Sequence, residues 1–398
     1  FGSAVWIFKV LPTNPLSDFV SILLRAVFRM EVTGPKHIPP AGQGTIVALN
    51  HTSFLDAVVA VSLLDRNPVF AIDHTMAEAW WVKPFLRFTR AMPLDPTKPL
   101  ATRALIAAVK AGETLVIFPE GRITVTGTLM KVYDGVGLIA DKAEAPIVPV
   151  RLSGLESTVF SRLNSLQVKR RWFPKVTVTI TEPVRLSLPE HLRGKARRQA
   201  AGNALYGIMS DMMFRTTDTD LTIFEAMVAA ARQHGAGRMA LRVPVGGKLS
   251  SRLMLMGARI LGRKLMPLAA PGETVALMVP NAVGGAVTFL GLLSSGRVPA
   301  MINFTAGAAN ILAACEASKA KVFVTSRLFV EKGRLEPLIA AIEGKIRIVW
   351  LEDVRATVTT ADKLDAVLNW SKRLVKAGPD DAAAILFTSG SEGTPKGV

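Results

Sequence analysis

The sequence predicts two successive α/β layer domains, and three observations predict them. Short β-branched runs alternate with helical stretches along most of the chain. Polar residues suited to chemistry follow directly on the ends of several of these runs. A polar stretch, Arg215-Thr216-Thr217-Asp218-Thr219-Asp220, separates the first series from the second. Such alternation argues for strands layered with helices, and chemistry at strand ends is the usual arrangement in open α/β sheets.

In the first series, Gly44–Leu49 reads as a strand running into Asn50-His51, and Thr114–Phe118 as one running into Pro119-Glu120. Ile147–Leu152 and Val176–Ile180 are two more strands; Asp56–Leu64 and Leu100–Ala111 are helices, and Arg193–Phe214 is a long amphipathic helix. The second series runs strand Thr274–Val279, helix Ala282–Ser295, strand Val298–Asn303, helix Ala308–Ser318, strand Lys321–Thr325. Its last strand, Ala384–Phe387, delivers a loop rich in Gly, Ser and Thr. The domains are read as residues 16–215 and 221–398.

At 398 residues the chain can hold two or three domains with real cores. With 49% hydrophobic and 20% charged residues it is not a disordered chain. Phe1 in place of Met, and an end that follows a Gly-rich loop, read as a fragment of a longer protein. The apolar start within residues 1–15 reads as the stump of a preceding transmembrane helix or as a buried end. Phe19–Met30 is an apolar helix that suits an interfacial anchor, and core packing accounts for the same pattern.

A net charge of +17 points to a polyanionic partner. With two Tyr and no zinc-finger or RNP-like pattern, nucleic acid is disfavoured and no DNA binding is expected. The clusters Lys169-Arg170-Arg171-Trp172-Phe173 and Arg193 to Arg198 mix cations with apolar groups, as an anionic membrane surface requires; a solvated basic face is the competing reading. The single Cys315 excludes an intramolecular disulfide and a cysteine zinc site, and no metal site is expected.

Two motifs carry chemistry in the first domain. In Asn50-His51-Thr52-Ser53-Phe54-Leu55-Asp56, the imidazole is suited to accept a proton near neutral pH, and a carboxylate on its second nitrogen fixes the tautomer. Within one helix, residues five apart lie about 140° apart around the axis, so the pair meets only if His51 sits in the turn before the helix. Ser53-x-x-Asp56 also reads as a capping box, in which Asp56 serves the helix end and His51 is incidental. In Phe118-Pro119-Glu120-Gly121-Arg122, Glu120 can bind hydroxyls, Gly121 allows close backbone approach, and Arg122 can fork onto a phosphate. An ordinary Pro-Glu-Gly turn is the alternative.

With Val148-Pro149-Val150 following, these blocks resemble the glycerophospholipid acyltransferase family in order and spacing. The resemblance implies that His51 is a general base, Asp56 its partner, and Glu120, Gly121 and Arg122 part of an acceptor site. The implied acceptor is a lysophospholipid, the implied donor an acyl thioester on acyl-carrier protein or CoA; acyl transfer itself takes no cofactor. One block departs. Where lysophosphatidate acyltransferases carry Arg after an Ile-Asp pair, this chain reads Met92-Pro93-Leu94-Asp95-Pro96-Thr97. Loss of that cation implies a phosphodiester acceptor such as lysophosphatidylethanolamine, with lysophosphatidate the alternative.

In the second domain, Thr388, Ser389, Gly390, Ser391, Gly393, Thr394, Lys396 and Gly397 make a loop whose amides, hydroxyls and one ammonium suit nucleotide phosphates. It is not a Walker A loop, since Pro395 precedes Lys396 and no Ser or Thr follows it. A flexible linker is the competing reading. The loop resembles the phosphate-binding signature of adenylate-forming enzymes, which implies ATP and Mg²⁺ and a phosphopantetheine-linked product in a complete ligase domain; this chain holds its first part. The tandem resembles bifunctional acyltransferase/acyl-carrier-protein synthetases and implies work at the cytoplasmic face of a bacterial inner membrane. A protein defined by ligase activity, with the first domain as a membrane-docking module, is the rival of a different class.

Overall fold

Along Thr45–Leu49, Ile46 and Ala48 enter one buried cluster and Val47 and Leu49 another. A strand apolar on both faces belongs inside a parallel sheet covered by helices on each side. The computed structural model, which describes residues 15–40, 42–64, 68–78, 90–94, 99–165, 167–243, 247–389 and 395–398, shows that arrangement. Residues 1–14 of the expected membrane stump, Asp95-Pro96-Thr97, and Gly390, Ser391, Gly393 and Thr394 lie outside the described residues. The chain divides into two compact units, Phe1–Thr217 and Asp218–Val398.

The first unit runs α1 (Pro15–Phe28), β1 (Glu31–Thr33), β2 (Thr45–Leu49), α2 (Asp56–Leu63), β3 (Val69–Asp73), β4 (Arg90–Leu94), α3 (Pro99–Lys110), β5 (Thr114–Ile117), α4 (Asp134–Ala143), β6 (Ile147–Ser153), β7 (Thr177–Ile180) and α5 (Gly194–Arg215). Its seven strands are ordered β1-β7-β6-β2-β5-β3-β4. Every neighbouring pair is parallel except β6 with β7. Leu24 of α1 and Val59 and Ala60 of α2 close one face of the sheet. Leu105 and Val109 of α3, Ile139 and Ala140 of α4, and Leu205 and Met209 of α5 close the other. No described helix is long and apolar enough to cross a membrane.

The α4–α5 crossing depends on small residues, because a Cβ on Gly137 would run into the carbonyl oxygen of Ala201. Gly137→Ala is therefore expected to lower stability by about 1–3 kcal/mol, read as a shifted denaturant midpoint at constant slope.

The second unit holds α6 (Ile223–His234), β8 (Met239–Val243), β9 (Gly247–Ser250), α7 (Ser251–Leu265), β10 (Thr274–Leu277), α8 (Val283–Ser294), β11 (Val298–Met301), α9 (Ala308–Ala317) and β12 (Val322–Thr325). It continues through α10 (Arg327–Gly333), α11 (Glu336–Ile342), β13 (Arg347–Trp350), α12 (Leu351–Ala356), α13 (Thr360–Asn369), β14 (Phe387–Ser389) and β15 (Pro395–Gly397). β11-β10-β12-β13 form a parallel sheet. The expected last strand is displaced: Ile385 bridges Ala300, and regular pairing begins at Phe387.

An ion-pair cluster joins α7 to α13. Arg259 forks onto Asp365 at 2.5 and 3.1 Å, and Lys264 meets Asp362 at 2.7 Å. The Arg259 hydrogen bonds hold the Asp365 carboxyl down at about 2, below its ordinary 3.8. A depressed carboxylate stabilises the fold above its unfolded pKa and loses that contribution as the pH falls through the folded value. Asp365→Asn should thus cost about 1–3 kcal/mol at neutral pH. It should also flatten the fall of the thermal midpoint between pH 4 and pH 2, as a melting series would show.

Candidate active site

β2 and β5 lie side by side and parallel, in register from Thr45↔Thr114 to Ala48↔Ile117. Their carboxyl ends deliver two loops to one place, although 69 positions separate His51 from Glu120. β6 flanks β2 on its other edge, with Ala48↔Pro149 and Leu49↔Val150. The three motif blocks therefore sit on three adjacent strands.

Asn50 fixes the exit from β2. It is buried, its amide donates to Leu152 O at 3.0 Å, and its carbonyl accepts from Leu152 N–H at 2.7 Å. The next residue, His51, has both backbone groups held by the 118–124 segment: its N–H donates to Glu120 Oε1 at 3.0 Å, and its carbonyl accepts from Thr124 N–H at 2.8 Å. The His51 ring stacks on Phe118 with centroids 4.1 Å apart and planes at 21°.

His51 precedes α2 rather than lying within it, and its Nδ1 is 2.9 Å from Asp56 Oδ2. Asp56 is fully buried and also accepts from Thr52 N–H at 2.5 Å, Ser53 N–H at 2.8 Å and the Thr52 hydroxyl at 3.2 Å. The expected Ser53 capping box is only half formed, because the Asp56 N–H meets the Ser53 carbonyl and the helix has no side-chain cap; Asp56 instead braces the turn that presents the imidazole. With Nδ1–H directed to a carboxylate, Nε2 is left as the proton acceptor.

Glu120 requires a correction. The sequence placed it against acceptor hydroxyls, but it is 1% exposed and does not line the adjacent cavity. Its Oε1 is taken by His51 N–H and its Oε2 by Met130 N–H at 2.9 Å. Burial raises its carboxyl above the ordinary value, and the two amide hydrogen bonds partly offset that rise. It is a strut that spaces the histidine turn from the 130 segment. Glu120→Gln keeps one acceptor oxygen and puts a donor against the other amide. A roughly 10- to 100-fold fall in kcat with little change in KM is expected from the displaced ring, measured by steady-state kinetics.

Gly121 has φ +63°, which favours glycine, and a Cβ there would come within 2.7 Å of the Tyr133 ring and push that ring aside. Gly121, Arg122 and Tyr133 line a cavity of about 1330 Å³ that opens onto His51. Its walls are mostly apolar, including Phe54, Leu55, Val58, Phe70, Ile72 and Met76. Seven cationic side chains line it, among them Arg122, Lys131 and Arg198, against Asp73 and Asp134. Such a site fits a ligand with long hydrocarbon and a phosphate.

The basic clusters are more structural than their sequence suggests. Arg170 turns inward and donates to the carbonyls of Thr158, Ser161 and Leu163. Arg197 forks onto Asp141 at 2.6 and 2.8 Å. Sequence reasoning assigned no role to Asn50 or Tyr133, and it placed Arg170 in a membrane-facing basic cluster rather than in these backbone contacts. Asn50 alone left a signal, as a polar residue at the end of an apolar strand immediately before the histidine.

In the second unit, the expected open loop from Thr388 to Gly397 begins and ends as strands, with Thr388 opposite Lys396 and Phe387 opposite Gly397. Thr388 and Lys396 are both exposed.

Residues 29–153 match the family model described as Acyltransferase, and residues 229–398 match that described as AMP-binding enzyme. A chloroplastic 1-acyl-sn-glycerol-3-phosphate acyltransferase of Brassica napus is 24% identical over 143 residues, covering 34% of this chain and 40% of that protein. A 4-coumarate–CoA ligase of Vanilla planifolia is 28% identical over 136 residues, covering 32% of this chain. The chain spans only 23% of that ligase's length. Among solved structures, it is similar to the 1-acyl-sn-glycerophosphate acyltransferase PlsC of Thermotoga maritima, with 20% identity, TM-score 0.37, and coverage of 55% of this chain and 90% of that one. The chain thus carries an acyltransferase domain followed by a domain of the AMP-binding enzymes.

Proposed function

We propose that the first domain moves an acyl group from a thioester to the hydroxyl of a lysophospholipid. The observation that carries this reading is the His51–Asp56 pair opening onto an apolar cavity lined by an excess of cations. His51 Nε2 takes the acceptor's proton as its oxygen attacks the thioester carbonyl; the C–S bond then breaks, and the imidazolium returns the proton to the departing thiolate. Asp56 orients the ring and stabilises its charged form. Arg122 binds the acceptor's phosphate, and the apolar walls take its chain.

The acceptor in this proposal is lysophosphatidylethanolamine, because Pro96 stands where lysophosphatidate enzymes carry a phosphate-binding Arg. Similarity to the Brassica acyltransferase favours lysophosphatidate as a second reading. The second domain supports an attached ATP- and Mg²⁺-dependent fatty acid ligase that charges acyl-carrier-protein phosphopantetheine, the donor for the first. Thr388 and Lys396 fit that role, as an exposed hydroxyl and ammonium opposed across a hairpin. The proposed location is the cytoplasmic face of a bacterial inner membrane.

Incubating the protein with labelled acyl thioester and equal amounts of the two lysolipids tests the assignment. Label is expected mainly in diacyl phosphatidylethanolamine. Preferential labelling of phosphatidate would replace the acceptor, and label in neither lipid would refute acyl transfer.

A further inference from the structure

The turn that carries His51 and Asp56 rests on the segment that follows β6. Ser53 links the two: its N–H donates to Asp56 Oδ2 at 2.8 Å, and its hydroxyl lies 3.2 Å from that of Thr158. Ser53 also forms an isolated antiparallel bridge with Ser161, and the Phe54 N–H donates to Phe160 O at 3.2 Å. Ser53, Thr158 and Ser161 are buried, so losing these contacts would leave polar groups unsatisfied. The same segment supplies cavity wall through Phe160 and Arg162, and the Arg162 guanidinium lies 5.6 Å from the centre of the Phe54 ring.

Little regular structure holds this segment in place. It opens with a single 3₁₀ turn, Leu155–Ser157, and runs on to Leu163 without an α-helix or a named strand. Arg170 supplies the missing constraint, because its half-buried guanidinium donates to the carbonyls of Thr158, Ser161 and Leu163. The neighbouring Arg171 N–H adds a bond to Ser157 O at 2.9 Å. A guanidinium is planar and its donors point in fixed directions, so three carbonyls that meet one are fixed relative to each other. Two of the three belong to the residues that touch Ser53, and all three flank the wall residues Phe160 and Arg162.

We propose that Arg170 is a positioning residue for acyl transfer. It sets the 158–163 segment against Ser53 and Phe54, and through Ser53 it holds Asp56 and the His51 ring at the cavity wall. The catalytic purpose rests on the acyltransferase reading. The bracing of the ring does not.

The test uses the full chain and Arg170→Met, which keeps most of the side-chain stem and removes its donors. Its kcat for lysolipid acylation should fall about 10- to 100-fold with KM within a few-fold of wild type, because a misplacement of about 1 Å can cost that much. In protein carrying isotope-labelled histidine, the magnetic resonance signal of the His51 ring N–H that faces Asp56 should shift or broaden. Arg151→Met is the control, since Arg151 also donates to a carbonyl and two hydroxyls, those of Met213, Thr216 and Thr217. It should lower the melting temperature and leave kcat and the His51 signal at their wild-type values. If Arg170→Met does not fold, Arg170→Lys replaces it, because one ammonium cannot meet three carbonyls in the same directions, and a smaller fall in kcat is expected. Wild-type kcat with an unmoved His51 signal would overturn the proposal. So would an equal fall in kcat in Arg151→Met, which would reduce Arg170 to a contributor to stability. A signal that moves in Arg170→Met, in a protein whose wild type acylates no lysolipid, would refute the acyltransferase reading and leave the bracing role standing.

Discussion

Asp56→Asn is expected to lower kcat for lysolipid acylation by roughly 10²- to 10⁴-fold. Asp56 Oδ2 lies 2.9 Å from His51 Nδ1, and the group is fully buried, so water cannot replace it. The imidazole and the Thr52 and Ser53 amides all meet the same oxygen, Oδ2, so an asparagine that places its oxygen there keeps those bonds and turns its NH₂ toward the Thr52 hydroxyl. What is lost is the negative charge that stabilises the imidazolium formed when the ring takes the acceptor's proton. Because Asp56 also holds two backbone amides, some loss of stability should accompany the change. The diagnostic readout is therefore kcat in protein whose circular dichroism matches wild type below its melting point. A KM within a few-fold of wild type separates lost proton transfer from a collapsed cavity.

Much of this site was legible in the sequence, for a physical reason. His51, Phe118 and Gly121 lie in short loops after apolar strands and Asp56 opens the helix that follows, and the strand-to-loop transition is a local pattern. The requirement that His51 precede the helix followed from helical geometry alone, and the structure places it there. What the sequence could not show depends on which strands are neighbours. Asn50 clamps Leu152 because β2 borders β6, a pairing across 102 positions that no local pattern encodes. Glu120 looked like a ligand-binding carboxylate because its two partners, the amides of His51 and Met130, become visible only in three dimensions. Arg170 looked like surface charge for the same reason.

In the second unit, the sequence reading passed over α6 and α13, though each had a readable start. Thr222 with Glu225, and Thr359 with Asp362, form complete capping boxes. Lys396 was read as part of an open loop, whereas it pairs with Thr388 in a hairpin. Glycine, serine and threonine content marked a loop there but did not reveal that its flanks pair with each other.

The central claim is that His51 removes the acceptor's proton, and the most direct measurement is the rate at which His51→Ala acylates vesicle-borne lysophosphatidylethanolamine from a thioester donor. The ring packs on Phe118 and is 17% exposed, so its loss leaves the backbone hydrogen bonds to Glu120 and Thr124 available. A fall of roughly 10²- to 10⁴-fold in kcat is expected, with vesicle sedimentation unchanged. Acylation by His51→Ala within a few-fold of wild type would contradict the assignment outright.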